Sequence, residues 1–453
     1  MNLPSYFIAD LPPEAELTPR LITEACQTLK QNRDRFLINR PTAEIIAVLC
    51  RVAADWRQPE NHFRKHALSA GPAETGFSRP VLEKGLDTFF AQFTPENFEA
   101  LLVQELGHAQ RLDGFTANAG LAETGRTAWA LGPQLLAHIA AGNLPNPALM
   151  SLTLGLLLRS AQFLKCASGA SFLPRLFVHS IYEHDRKLGA CLEVAEWTGG
   201  NRPLEAALYA EANALTATGS DETLAAIRAQ LPARVRFLGY GRRLSFGLVT
   251  REVLQPETVA DIVTRAADDV IAWNQQGCLS PHVFYVEERG KVDADVFANQ
   301  LATELANREA AEPRGPISTT EAADIASRRA LYETLSFHRG DVKLWQSPGS
   351  TAWTVVYEHD LRFRVSCLNR FIFVKPMAHF ADLRQGLDEV RDHLSTAGIA
   401  APPERSKELA RQLAAEGVLR LCPLGQMQNP PLPWRHDGRL PLGELVTWCD
   451  FEK

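Results

Sequence analysis

No two of the eight cysteines in this 453-residue chain are close enough to form a CxxC pair; the nearest, Cys26 and Cys50, stand 24 residues apart. That spacing excludes a tetrahedral zinc module and the disulfide framework of a small secreted domain. The sequence opens without a basic stretch and apolar core of the secretory kind. The reading is therefore a cytoplasmic chain with reduced thiols. Long apolar runs are missing as well. The most apolar stretch, residues 147–158 (PALMSLTLGLLL), stops at Arg159. It falls short of the roughly 20 residues a membrane helix needs and reads as a buried helix. Charge of one sign is scarce: 47 Lys and Arg face 53 Asp and Glu, a formal charge of −6. That leaves no electrostatic footprint for nucleic acid or an anionic membrane.

What is present is the composition of a large folded chain, 45% hydrophobic and 22% charged. Disorder and a fibre are excluded, and the length fits two or three domains. Residues 15–110 carry apolar side chains at helical spacing. From about residue 134 short apolar runs alternate with helical stretches. Strand-like runs fall at 134–141, 161–165, 188–197, 214–218 and 235–240, with helices between them. This alternation predicts βαβ units around a mostly parallel, buried sheet. Residues 256–277 read as one long amphipathic helix, followed by a strand at 281–287. Helices at 292–312, 319–337, 380–395 and 404–416 and strands at 351–357 and 371–376 make a second α/β unit. The tail from Met427 is rich in proline and reads as an extended arm.

Four short constellations could carry chemistry. Cys278, in NQQGCLSP (274–281), follows Gly277 between a helix and a strand, where a junction exposes a side chain at a sheet edge. It reads as a nucleophile or as a small residue at a tight junction. As a nucleophile it must be held as thiolate against the negative end of the preceding helix, so it needs amides, a cation or a cofactor nearby. Asn143, after Gly142 at the end of an apolar run, is an oxyanion donor or the cap of the next helix. Thr218-Gly219-Ser220 closes a strand and opens a helix. It reads as a phosphate-binding turn or an ordinary cap. Lys165, with Ser168 just beyond, lies at the carboxyl end of a strand, where it reaches a cofactor or simply solvent. Two motifs are set aside. Gly239-Tyr-Gly241 starts like GxGxxG but ends in Leu244 and runs into a strand. His62 and His66 are four apart without a third ligand, and read as a solvated helix face.

Together, HIAAGNLPNP (138–147), FLKCASGAS (163–171), LTATGSDETL (215–224), LGYGRRLSFGL (238–248) and WNQQGCLSPHVFYVEE (273–288) resemble the LuxC-type acyl-CoA reductases, within the aldehyde dehydrogenase superfamily. The likeness runs from about residue 120 to the C-terminus. It implies an α/β fold with a Rossmann-type cofactor domain, an α/β catalytic cysteine domain and an extended C-terminal arm. The implied division is a helical segment at 1–119 packing on the cofactor domain, an NADP(H)-binding domain at 120–250, a catalytic thiol domain at 251–426 and the arm at 427–453. By the same resemblance Cys278 is the nucleophile and Asn143 the oxyanion donor. Gly142, Lys165, Ser168, Thr218, Gly219 and Ser220 form the cofactor site, with no metal. The implied reaction is NADPH-dependent reduction of a fatty-acyl thioester, with acyl-CoA, an acyl-carrier protein or an acylated partner enzyme as donor. A homo-oligomer is also implied.

Two departures from the superfamily bear on this. Hydrolytic members carry a water-activating Glu where this chain reads Phe237-Leu-Gly-Tyr240-Gly-Arg242, with no acid. An acyl-cysteine that must meet hydride is better kept from such a base. Ser168 stands where NAD-preferring relatives often carry Glu, which leaves a 2′-phosphate permitted. LuxC-type proteins also often have His where this chain has Arg242. The alternatives are an oxidative NAD(P)-dependent aldehyde dehydrogenase using the same cysteine, and a catalytically silent acyl-binding scaffold.

Overall fold

Caps explain where the first helices begin. Thr18 accepts the Leu21 N–H (3.2 Å) ahead of Pro19–Phe36, and Thr94 accepts the Asn97 N–H (3.2 Å) ahead of Pro95–Leu106. In each, proline takes the first turn, where its missing N–H costs nothing. Gly107 then ends the second helix at φ +77°, a conformation that favours glycine. The structure, a computed structural model, describes residues 3–12, 14–117, 120 and 125–452. The expected boundary at 119/120 lies partly outside them.

The chain divides into two units. One comprises Met1–Thr75, Leu86–Gly241 and Pro431–Lys453; the other comprises Gly76–Gly85 and Arg242–Pro430. In the first, β1 (Thr127–Leu131) pairs antiparallel with a strand near the C-terminus, Thr447–Phe451. The main sheet holds β2 (Leu135–Ile139), β3 (Ala161–Cys166), β4 (Leu192–Glu196), β5 (Ala214–Thr218) and β6 (Arg236–Tyr240). All its pairings are parallel, in the order β4-β3-β2-β5-β6. The chain steps outward from β2 through β3 to β4, then crosses to β5 on the other side of β2. The topological switch point is therefore between β2 and β5. The helical lead does pack here: Ile22, Cys26 and Leu29 join Leu135, Phe163 and Leu215 in one apolar core.

The arm is anchored by a buried carboxylate. Glu105 accepts the N–H groups of Leu442 (2.6 Å) and Gly443 (3.1 Å). Burial raises its pKa from 4.5 to about 7, against the pull of the two amides. A carboxyl raised on folding contributes stability that is full below its unfolded value and lost as pH rises through 7. Glu105→Gln should therefore flatten the fall of stability between about pH 5 and 8, read by urea unfolding across that range.

The second unit is built on β7 (Leu244–Val249), β8 (Pro281–Glu287), β9 (Val342–Gln346), β10 (Thr354–Glu358), β11 (Phe371–Met377), β12 (Leu394–Ala400) and β13 (Arg420–Pro423). Their order is β13-β12-β7-β8-β11-β10-β9, parallel except for the β9 edge. The interior strands are buried along their whole length, so each reads as an apolar run rather than as alternation.

The units differ from the expected domains at their borders. The run at 245–249 was assigned to the 120–250 domain, but β7 pairs with β8 and β12, so the division falls at Gly241/Arg242. From Pro431 the arm belongs with the first unit, and it carries a strand. The expected helix at 256–277 is shorter. It spans Val259–Ile271 and gives way to a 3-10 segment, Ala272–Gln275, that contains left-handed residues. The expected helix at 380–395 ends at Leu387, and β12 follows a 3-10 turn.

Candidate active site

Cys278 sits half-buried in a turn just before β8. What shapes that turn lies immediately upstream. Trp273, Asn274 and Gln275 all have positive φ (51°, 51° and 62°). Such residues cost of order 1–3 kcal/mol each unless their surroundings fix them. Here they do. The Trp273 indole lies edge-on to Phe77 (5.2 Å) and fills the space over Gly85, where a Cβ would overlap it. A second left-handed run, Leu368-Asn369-Arg370, docks against the first. Asn369 N–H donates to Asn274 O (2.9 Å), Gln276 Nε2 to Asn369 Oδ1 (3.1 Å), and Arg370 Nε to Asn274 Oδ1 (3.2 Å). Gln275 Nε2 ties the run to both flanking strands through Pro281 O (2.9 Å) and Phe371 O (3.1 Å).

The cysteine's own backbone is held from β7. Ser245 Oγ donates to Cys278 O (2.8 Å) and accepts the Thr396 N–H (3.1 Å). Four residues on, His282 is buried. Its Nδ1 accepts the Ser366 N–H (3.1 Å), and burial with the Arg242 charge lowers its pKa to about 4. It is a neutral imidazole whose tautomer is set. Four of the other cysteines are kept as neutral thiols: burial pushes Cys26, Cys166, Cys191 and Cys422 up to about 12, while Cys449 is exposed.

In the first unit the remaining expected residues gather at the carboxyl edge of the sheet, on both sides of the switch point. Gly142 and Asn143 follow β2, and Thr218, Gly219 and Ser220 close β5. Asn143 and Thr218 line one narrow cleft with His138, Ser151 and Thr216, with room for about one water molecule. Asn143 does not cap the next helix: the N-cap of Asn146–Leu157 is Pro145. Ser220, by contrast, is a cap in this structure, its Oγ accepting the Thr223 N–H (3.3 Å). Asp221 and Glu222 in the same first turn put negative charge there.

Lys165 is the most telling member of the set. It is 4% exposed, and burial lowers its pKa. Among the described residues its ammonium makes no hydrogen bond or ion pair; it lies 5.8 Å from the Trp197 ring. The Trp197 indole N–H is also buried without a partner. Two unsatisfied donors side by side at a sheet's carboxyl edge fit a ligand rich in oxygen, such as the ribose of a dinucleotide. Ser168 Oγ meets Thr198 Oγ1 (3.0 Å) beside them.

Two acids given no role in the sequence motifs meet these turns. Glu196, at the end of β4, accepts the N–H groups of Gly169 (2.6 Å) and Ser171 (3.2 Å). The Ser168 loop therefore does have a carboxylate beside it. Asp221 lies against Gly241, so close that a Cβ on Gly241 would overlap its carboxylate. Glu196 was not visible in spacing because strand pairing brings it over, and what Asp221 meets is decided by the pairing of β5 with β6.

A family model described as acyl-CoA reductase (LuxC) matches residues 37–448. The chain belongs to this LuxC acyl-CoA reductase family. Among relatives of this LuxC chain are the long-chain acyl-protein thioester reductase of Aliivibrio fischeri, 22% identical over 322 residues, and a second of that name from Photobacterium leiognathi, 22% identical over 325. Each alignment covers 70% of this chain and 63% of the relative, so the chain spans less than two thirds of their length. Among solved structures, a bifunctional proline utilization A protein superposes with TM-score 0.73 at 17% identity, over 98% of this chain and 46% of that one. A benzaldehyde dehydrogenase from Corynebacterium glutamicum (TM-score 0.68, 14% identity, 99% and 94% covered) and a Δ-pyrroline-5-carboxylate dehydrogenase from Mycobacterium tuberculosis (0.70, 12%, 96% and 83%) share the fold. The LuxC family chain thus has the aldehyde dehydrogenase fold. Among its described residues no helix is long and apolar enough to cross a membrane.

Proposed function

We propose that this LuxC family chain reduces a fatty-acyl thioester to the aldehyde through an acyl-cysteine at Cys278, with NADPH as reductant. The observation that carries the proposal is the setting of Cys278, a half-buried thiol on a junction fixed by two interlocked left-handed runs. On this reading the Cys278 thiolate attacks the thioester carbonyl, and the donor's thiol leaves with a proton. The role proposed for Asn143 is to donate to the oxyanion formed in that step. Lys165 and Trp197 hold the cofactor's ribose, and the turns at Gly142 and Thr218-Gly219-Ser220 approach its phosphates. When bound, the nicotinamide supplies the hydride that takes the acyl-cysteine to the aldehyde level. The thiohemiacetal so formed at Cys278 then collapses, releasing aldehyde and restoring the thiol.

The donor belongs to the same proposal. The Aliivibrio and Photobacterium relatives are named for an acyl-protein thioester, so an acyl-carrier protein or acylated partner enzyme stands beside acyl-CoA. A homo-oligomer is proposed with it. The test is to follow NADPH oxidation against a panel of acyl-CoAs and acyl-carrier proteins while measuring the product. Aldehyde in step with oxidised cofactor is expected, and free acid with no cofactor oxidised would overturn the proposal. One observation favours a second reading, an oxidative aldehyde dehydrogenase: Asp221 brings a carboxylate to Gly241, in the segment that lacks one of its own.

Cofactor choice turns on Glu196. Its two oxygens are engaged by Gly169 and Ser171 N–H groups, while the hydroxyls of Ser168 and Thr198 remain to meet a 2′-phosphate. Its charge still opposes that phosphate. Glu196→Gln should therefore raise the kcat/KM ratio of NADPH over NADH by about tenfold, the effect of roughly 1.4 kcal/mol less repulsion. An unchanged ratio would show that the carboxylate does not face the ribose.

A further inference from the structure

The cysteine's junction is met from a direction that no local motif announces. Residues 424–429 form a turn after β13, and two buried side chains of opposite charge hold it. Asp269, 1% exposed on Val259–Ile271, accepts the N–H groups of Gly425 (2.6 Å) and Met427 (2.9 Å). Arg420, 8% exposed at the start of β13, donates to the carbonyls of Met427 (2.7 Å) and Gln426 (2.8 Å). The carboxylate thus takes the turn's donors and the guanidinium its acceptors. Gly425 is at φ +87°, and a Cβ there would press on Arg265 of that helix, so the turn favours glycine at this position.

What the turn presents is Gln428. Its carboxamide lies over Gly277, where a Cβ would overlap it, and donates to Ser280 Oγ. One side chain thereby touches the residue just before Cys278 and the residue two after it. Ser245 holds the same turn from beneath, through Cys278 O. The nucleophile is bracketed on both sides by groups remote in sequence.

We propose that Asp269 and Arg420 clamp this turn so that Gln428 fixes the Cys278 junction, making Arg420 a positioning residue and the cation that favours the thiolate. The inference rests on the reading of Cys278 as nucleophile. Arg420 stands opposite Thr396 on β12, whose N–H meets the same Ser245 hydroxyl that holds Cys278 O, and burial lowers its pKa, opposed by Cys422, Asp269 and Cys278. Of the groups facing it, Cys422 is pushed up to about 12 and stays neutral, whereas burial pushes Asp269 up to about 7. Asp269→Asn therefore removes the one carboxyl of this clamp that titrates near neutrality.

The test uses the full chain and needs no turnover. Alkylation of Cys278 by iodoacetamide is followed by mass spectrometry across pH, in parallel with backbone hydrogen exchange of the 277–280 segment. Arg420→Gln should raise the alkylation midpoint by about one pH unit, a tenfold slower reaction below it, both alone and in the Asp269→Asn background that removes the neighbouring titration. Arg420→Lys should restore the midpoint. Gln428→Ala, on a half-exposed turn, should keep the wild-type midpoint and speed exchange at 277–280 about tenfold. An unmoved midpoint in a folded Arg420→Gln protein, or unchanged exchange in Gln428→Ala, overturns the clamp. If Arg420→Gln does not fold, the Lys and Gln428→Ala variants decide it. Turnover by Cys278→Ser would instead overturn the nucleophile reading and leave these measurements standing.

Discussion

Cys278→Ser should leave no acyl group on the protein. Incubated with radiolabelled acyl-CoA or acyl-carrier protein and denatured, the wild type should retain label and the variant none. Reductase turnover should fall by about 10⁴-fold or more, in the range seen when a nucleophile acting as part of a unit is removed. The reason is chemical rather than steric. Serine is close to cysteine in size, and the contacts that shape the turn are made by Trp273, Asn274, Gln275, Ser245 and Gln428, none of which uses the thiol. Folding stability should therefore change by less than about 1 kcal/mol. A serine hydroxyl, however, is almost wholly protonated at neutral pH. The buried His282, four residues on, is neutral, with Nδ1 already accepting from Ser366. Cofactor binding, proposed for the first unit, should survive and serves as the control. Label retained by the variant would remove Cys278 from the mechanism.

Arg370→Ala should be the most destabilising single change near the site. Arg370 is fully buried and left-handed at φ +65°. Its guanidinium donates to Asn274 Oδ1 (3.2 Å), Glu309 Oε2 (2.8 Å) and Glu312 O (2.8 Å). Burial lowers its pKa only to about 10, so it stays charged at neutral pH. Truncation leaves the buried Asn274 amide oxygen and the Glu312 carbonyl without this donor and takes the charged partner from Glu309, which keeps only the Arg314 N–H among the described residues; breaking a buried pair costs about 3–5 kcal/mol. In a unit of this size that lowers Tm by about 10 °C, read by calorimetry. Arg370→Lys should recover little, because one ammonium cannot span the three acceptors. A midpoint within a degree or two of wild type would show that the two left-handed runs hold together without it.

The parallel sheet of the first unit was legible because each of its strands is a short apolar run between helices, which is what burial on both faces imposes. Cys278, Asn143, Lys165 and Thr218 were legible because they close or open such elements. The break at Ile271 was not. Trp273, Asn274 and Gln275 directly follow the helical pattern, and only contacts with remote residues such as Gly85 and Asn369 hold them left-handed. β12 (LSTAGIA) hid behind a helix because its small residues carry little strand signal. Glu196, Asp269, Arg420 and Gln428 reach their places by strand pairing, by helix packing or by a turn far along the chain, so no local motif marks them.

The pairing of β1 with Thr447–Phe451 sets an order on biosynthesis. The partner of residue 127 leaves the ribosome more than 300 residues later, after every strand of the second unit. The unit from Arg242 to Pro430 can complete its sheet while the last strand is still unmade. The first unit, although begun earlier, closes its smaller sheet last. Until then β1 offers an unpaired edge, of the kind that chaperones cover and that aggregation exploits.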